Sequence, residues 1–175
     1  MRFDRKNAHG KVLHEWWEDL QEKNPAQKRK GDRAGRAALR RCATITQIVL
    51  TPAYQRLFHK LQQAEWSATL VQKDRLAAAV GLLAHVRDED DQPLAKTMSA
   101  CAEGSDRPNV SELRFLRLLE SPDLETLFTG LRRVLPLIAH KANIFDLTNS
   151  LIFWGDKVKK DWAYAYDWPK KSSDA

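Results

Sequence analysis

Histidine and acidic side chains in the first predicted helix come close to a known metal-binding pattern. The segment His14-Glu15-Trp16-Trp17-Glu18 begins like the zincin motif, in which two histidines one helical turn apart hold zinc beside a glutamate base. Glu18 stands where the second histidine is required. The segment therefore favours an amphipathic helix with an exposed His14, and neither a metal nor a catalytic residue is predicted.

Other catalytic chemistry has little support in the sequence. The remaining histidines are scattered at His9, His59, His85 and His140, and no GxSxG motif or glycine-rich phosphate loop is present. The acidic run from Asp88 to Asp91 could bind a cation, but consecutive carboxylates without ring-forming spacing are typical of a solvated loop. We therefore predict a protein that is not an enzyme and needs no cofactor.

Basic side chains recur on several predicted helices and are the main candidates for a binding site. Arginine holds phosphate oxygens in a fork and stacks on bases, which suits contact with a nucleic-acid backbone better than sequence readout. For any single cluster of basic residues, the alternative to nucleic-acid binding is an ordinary charged helix face exposed to solvent. One helical stripe carries Arg29, Arg33, Arg36 and Arg40. The predicted nucleic-acid-binding residues are Arg33, Arg36, Arg40, Arg41, Arg114, Arg117, Arg132, Arg133, Lys157 and Lys160.

The six tryptophans are a second set of side chains that could contact unpaired bases by stacking. Most of them fall on apolar helical stripes. Packing in the core or at an interface is therefore the favoured interpretation, and Trp17 and Trp168 are the two least committed to it.

The composition is typical of neither a strand-rich nor a disordered protein, so the chain is predicted to be helical. It has 175 residues, 43% of them hydrophobic, and a formal charge of +6, which favours an anionic partner. Cys42 and Cys101 lack metal-site spacing and are predicted to be free thiols in a reducing cytoplasm. The apolar run from Leu76 to Ala84 is too short to span a bilayer, and residues 1–6 contain no apolar signal segment.

Apolar residues at helical spacing predict an all-α protein, a helical bundle in two small subdomains, residues 1–104 and 105–175. The breaker-rich segment 102–109 sets that boundary. In the first predicted subdomain, helices are expected from about His9 to Lys23, where Asn24-Pro25 ends the helix, through Arg33 to Cys42, from Thr51-Pro52 onward, from Ala68 to Val86 and from Leu94 to Cys101. In the second, they are expected from Ser111 to Leu119, from Leu124 to a kink or end at Pro136, from a cap at Asp146 to Gly155, and through Val158 to Tyr166. The connector 28–33 is predicted to be charged and the tail 170–174 frayed.

Three segments, taken together, resemble a known family. They are Arg36-Ala37-Ala38-Leu39-Arg40-Arg41, then Leu50-Thr51-Pro52-Ala53-Tyr54, and finally the segment 153–164, which reads FWGDKVKKDWAY. Each motif is weak alone, but their joint order and spacing between about His9 and Trp168 resemble the CasB family, the small subunit of the type I-E CRISPR surveillance complex, Cascade.

The resemblance implies a non-catalytic, all-α subunit of a prokaryotic, cytoplasmic ribonucleoprotein. Its implied partners are the CRISPR guide RNA, the target and displaced DNA strands, the other Cascade subunits and a second copy of itself, with no membrane. Basic surfaces in that family help to hold the R-loop open. By position, Arg41, Arg114 and Arg133 match basic residues of that surface. Arg40, Arg132 and Lys157 are expected as companions.

This sequence departs from the family pattern at two basic positions. Glu120 and Asp123 stand where some relatives carry arginine, which changes the expected nucleic-acid path near the 120–123 turn. Two other hypotheses stay open at this point. One is a free-standing helix-turn-helix DNA-binding protein with Arg33 to Arg41 on its recognition helix. The other is a hydrolase that uses His14 and Glu18.

Overall fold

The computed structural model describes residues 1–21 and 31–170, and within these ranges the chain is helical, as predicted. The α-helices, in chain order, are α1 (Ala8–Gln21), α2 (Arg33–Arg41), α3 (Ile45–Val49), α4 (Pro52–Gln63), α5 (Leu70–Leu83), α6 (Leu94–Ser99), α7 (Glu112–Leu119), α8 (Leu124–Val134), α9 (Ile144–Ile152) and α10 (Asp156–Ala165). A 3-10 turn (Leu135–Ile138) follows α8. The strands are β1 (Asp88–Glu89) and β2 (Lys141–Ala142).

Helix α5 lies at the centre of the bundle. Every residue from Leu76 to Leu83 is buried, so this half of the helix is covered on all sides, whereas Leu70 and Val71 in its first turn are exposed. It packs against α3, α8 and α9. Thr69 begins the helix with a capping box, since its hydroxyl accepts from the N–H of Gln72 and the Gln72 side chain accepts from the N–H of Thr69. The remaining helices are arranged around this buried one.

Local sequence signals placed several helix ends correctly. Thr51 caps α4 and Pro52 is its first residue, as predicted. Helix α8 ends at Val134, and Pro136 lies in the 3-10 turn that follows, which confirms that this proline ends the helix.

The predicted cap at Asp146 is wrong. Asn143 caps α9, because its side-chain oxygen accepts from the N–H of Asp146 at 2.9 Å. The Asp146 carboxylate instead accepts from the N–H of Leu94, the first residue of α6, at 2.7 Å. Burial raises the pKa of this carboxyl, and the hydrogen bond from Leu94 opposes the rise. Helix α9 also ends at Ile152, before Gly155.

The first residues of the chain are packed across the core. Phe3 is buried, its N–H donates to Asn149 Oδ1 at 2.8 Å, and its carbonyl accepts from Asn149 Nδ2 at 2.9 Å. The backbone of Asp4 passes so close to α1 that a Cβ on Gly10 would lie 1.8 Å from the Asp4 carbonyl oxygen. Glycine at position 10 therefore allows this segment to lie against α1.

The acidic run is partly ordered, which corrects the prediction of a solvated loop. Strand β1 pairs in parallel with β2. Glu89 Oε2 lies 3.1 Å from His14 Nε2, and Arg5 binds the other oxygen of Glu89. Asp90 accepts a hydrogen bond from the Thr97 hydroxyl at 2.9 Å. His14 is correspondingly only 18% exposed, so the prediction of an exposed histidine is also wrong.

The predicted boundary near residue 104 falls in the segment between α6 and α7. Buried side chains from both predicted subdomains form one hydrophobic core, and α5 packs against α8 and α9 across that boundary. Division into two folding units stays a prediction. The predicted helix end at Asn24-Pro25, the connector residues 28–30, which include Arg29, and the tail residues 171–174 lie outside the described residues.

Candidate nucleic-acid interface

Helices α7 and α8 position three of the predicted arginines around one groove. Helix α7 buries Phe115 and Leu118, which leaves Arg114 and Arg117 on its exposed side. These two arginines are three residues apart and therefore share a face. Arg133 is exposed in the last turn of α8. The sequence predicted Arg114 with Arg117 on one helix and Arg133 on the next, and the fold brings the three together around one groove.

Close packing of the two helices shapes this groove. Gly130 faces α7, where a Cβ would lie 2.8 Å from Leu118 Cδ2. The α7–α8 groove has a volume of about 510 Å³ and no acidic residue among its lining side chains. Its lining is Arg114, Arg117, Leu118, Ser121, Thr126, Thr129, Gly130, Arg133, Val134 and Leu137. The lining itself therefore carries the positive charge of three arginines and no carboxylate, while Asp123 lies beside it and accepts from the N–H of the lining residue Thr126 at 2.7 Å.

The C-terminal end of α2 forms a second basic cluster beside α8. Arg132 donates from one terminal nitrogen to the carbonyl of Cys42 and from the other to the carbonyl of Arg40, both at 2.7 Å. A helix leaves its last carbonyls without partners, so this fork caps α2 from a different helix. Arg132 thus has a structural role, whereas Arg41 is exposed beside it.

A shallow hollow connects the two basic areas. It is lined by Ala43, Phe128, Thr129, Arg132, Arg133 and Pro136 and has a volume of about 590 Å³. Thr129 and Arg133 line both this hollow and the α7–α8 groove. The basic surface is therefore continuous from the end of α2 to α7.

The pKa of His85 shows the effect of the positive charges that lie behind this surface. The pKa of His85 is lowered from 6.5 to about 4, chiefly by burial and also by the positive charges of Arg132, Arg40 and Arg36 and by His140. Arg36 lies nearby, since its Nε donates to the carbonyl of Ala84 at 3.3 Å. Three predicted site residues thus lie close enough to one half-buried imidazole to act on its pKa.

Acidification should reveal this histidine as a loss of stability. Between pH 6.5 and about 4 the unfolded chain binds a proton at His85 that the folded chain does not. The free energy of unfolding should therefore decrease as the pH falls through this window, and His85→Gln should lose less over the same window. The measurement is urea unfolding at several pH values.

His59→Gln is the matched control, because His59 is exposed. It should follow the wild-type pH dependence. If the free energy of unfolding had the same pH dependence in the His85→Gln variant and the wild type, the lowered pKa of His85 would be contradicted.

The other predicted basic residues lie apart from the groove lining. Helix α10 packs against α6, and its Lys157 and Lys160 are exposed. Lys157 Nζ lies 2.7 Å from a carboxylate oxygen of Asp161 on the same helix, so the charge of Lys157 is partly neutralised by this neighbour. Arg33 is exposed on the first turn of α2.

The tryptophans are mainly core residues, as predicted. Trp17 departs from the expectation that it is weakly committed, because it is buried and its Nε1 donates to the carbonyl of Val86 at 3.2 Å. Trp168 is 42% exposed, and its ring packs edge-on against Phe115 and Tyr166. Stacking platforms for bases are therefore not formed by the buried tryptophans.

The uncharged part of the groove was not predicted from the sequence. Leu137 is 37% exposed and lines it together with Thr129, and neither residue belongs to a basic set. The signal was weak, because an apolar residue directly after Pro136 reads as a continuation of the core stripe. Leu118 and Val134 also line the groove, and the sequence placed them only within predicted helices.

The described residues contain no group of three or more side chains placed to hold a metal ion. Both cysteines are free, Cys42 buried and Cys101 exposed. Within residues 1–21 and 31–170, no helix has the length and apolar character needed to cross a membrane.

Fold and surface together define an all-helical protein with a continuous cationic face. The sequence model of CRISPR-associated protein Cse2 matches residues 35–166, so the chain belongs to this family, which confirms the resemblance to CasB. No curated protein matches the sequence.

Among solved structures, the chain is similar to a chain of Escherichia coli Cascade bound to a PAM-containing double-stranded DNA target. The two share 15% sequence identity with a TM-score of 0.60, and the match covers 87% of this chain and 92% of the other. At this identity the similarity shows a shared fold.

Proposed function

We propose that this protein is the non-catalytic small subunit of a type I-E Cascade ribonucleoprotein in a prokaryotic cytoplasm. Its basic helical surfaces bind nucleic-acid backbone and stabilise the guide RNA, the target DNA and the displaced strand in the R-loop. The observation that carries this proposal is the convergence of Arg114, Arg117 and Arg133 on a groove without acidic lining. Its partners are the other Cascade subunits and a second copy of itself.

Physical chemistry favours a surface that does not read sequence. Pairing with the guide supplies recognition in such complexes, and R-loop formation is so nearly balanced that modest backbone contacts change its lifetime. The candidate surface is mainly arginine, which suits phosphate contacts. The helix-turn-helix alternative is less favoured, because Arg36 and Arg40 on α2 are half-buried and Arg36 donates to the carbonyl of Ala84 in the same chain.

Neutralising the groove should weaken binding equally for unrelated sequences. The variant Arg114→Ala/Arg133→Ala removes about two phosphate contacts, so the slope of log affinity against log salt should become shallower by roughly 1.4 to 1.8. In the assembled complex, this variant should shorten the R-loop lifetime and should have a smaller effect on the affinity for guide RNA. The measurements are binding by the full chain across a salt series and R-loop dissociation on matched targets.

Arg56→Ala/Lys60→Ala is the matched control, since it removes the same charge from a cleft that also contains Asp19 and Asp32. It should alter the salt slope less. Equal slopes for the two double variants would contradict the assignment of this groove, whereas loss of binding to one DNA sequence only would favour the helix-turn-helix alternative.

A further inference from the structure

The floor of the α7–α8 groove is apolar, although its rim is cationic. Leu118, Val134 and Leu137 lie among the lining residues, with three arginines around them. Leu118 and Val134 are each 4% exposed and belong to the core, whereas Leu137 is 37% exposed. Phosphate contacts alone do not need such a floor, because phosphates bind charge and hydrogen-bond donors.

The difference between paired and unpaired nucleic acid explains what the floor can bind. A duplex keeps its bases stacked inside, so a groove that contacts its backbone leaves an apolar floor in water. An unpaired nucleotide can turn its base out against apolar side chains while its phosphates remain on arginine. Burying that base removes apolar surface of both partners from water.

Resting on the proposed backbone-binding function, we infer that the α7–α8 groove holds the base of an unpaired nucleotide. The base packs on Leu137 and the floor beneath it, and the flanking phosphates bind Arg114, Arg117 and Arg133. The groove volume of about 510 Å³ falls within the range of pockets that enclose small ligands, about 300 to 1,000 Å³.

The polar lining fits a base of any identity. Ser121, Thr126 and Thr129 supply hydroxyl groups, each able to donate or accept a hydrogen bond. Fixed donor–acceptor pairs of the kind that Asn, Gln or Asp provide are absent from this described lining. The site should therefore distinguish unpaired from paired nucleotides without distinguishing the four bases. The lack of acidic lining favours an anionic strand over a basic peptide.

The test compares three probes of equal length on the full chain: single-stranded oligothymidylate, the same backbone made abasic, and a duplex. Wild type should bind oligothymidylate about fivefold more tightly than the abasic strand, as expected if the base and Leu137 together remove about 40 Å² of apolar surface from water. Leu137→Ser should bring this ratio close to one and leave duplex binding unchanged. Leu113→Ser is the control, since Leu113 is 59% exposed and does not line the groove.

A second variant guards against misfolding. Thr129→Gln narrows the groove with a neutral side chain that has no aromatic face and should also reduce the ratio, and circular dichroism checks that each variant is folded. A wild-type ratio of one would overturn the inference about the base, and would leave backbone binding intact if Arg114→Ala/Arg133→Ala still flattened the salt slope. Displacement of oligothymidylate by an acidic amphipathic peptide at lower concentration would also overturn it.

Discussion

Replacing Phe3 by alanine is expected to lower the free energy of unfolding by about 3 kcal/mol, toward the lower end for loss of a buried phenylalanine. The ring is 2% exposed and packs against His9 and Trp66, with centroids 5.2 and 5.4 Å away. Removing it leaves a cavity that the short terminal segment can only partly close. Thermal unfolding should shift downward by about 6 to 12 °C for a chain of this size.

The hydrogen bonds to Asn149 allow a sharper form of this experiment. Asn149→Ala removes the side-chain partners of both the N–H and the carbonyl of Phe3. Both substitutions loosen the same segment. The free energy of unfolding lost in the double variant should therefore be smaller than the sum of the losses in the two single variants. Leu50→Ala, at a position that is 76% exposed, should change stability by less than about 0.5 kcal/mol. Full additivity would contradict a shared segment.

Arg132→Ala should destabilise the fold by about 2 to 4 kcal/mol, whereas Arg133→Ala should leave stability within about 0.5 kcal/mol. Arg132 donates to two carbonyls at the end of α2, and without it those carbonyls lose charge-assisted partners. Arg133 is exposed and lines the α7–α8 groove. Chemical unfolding of the two variants measures the difference, and the salt series should show a larger binding defect per unit of stability lost for Arg133→Ala.

Arg132→Lys separates charge from geometry. Lysine keeps the positive charge but has no planar fork, so it can satisfy the two carbonyls less well and should fall between wild type and alanine in stability. Equal unfolding midpoints for Arg132→Ala and Arg133→Ala would show that the α2 end does not depend on this fork.

Local signals made much of the fold predictable. Thr51-Pro52 and Pro136 act through their own backbone, so their effects could be seen in the sequence. Asp146 misled the prediction because aspartate caps helices in general, while its partner here, Leu94, lies 52 residues away. The acidic run was misjudged for a similar reason, since the partner of Glu89 is His14 on α1.

The candidate site was predictable as a set of charges but not as a shape. Arg132 and Arg133 are adjacent in sequence, yet the 100° between consecutive helical residues directs one to the α2 carbonyls and the other to the groove. The groove itself depends on the close approach that Gly130 permits between α7 and α8. Such an approach depends on tertiary packing, which the sequence pattern does not encode locally.

The pairing of Phe3 with Asn149 also bears on synthesis of the protein. The two residues are 146 positions apart, so the first cannot meet its partner until most of the chain has been made. At translation rates of about 5 to 20 residues per second, that delay is about 7 to 30 s. During this interval the backbone of Phe3 lacks the two hydrogen bonds that hold it against α9 in the folded protein.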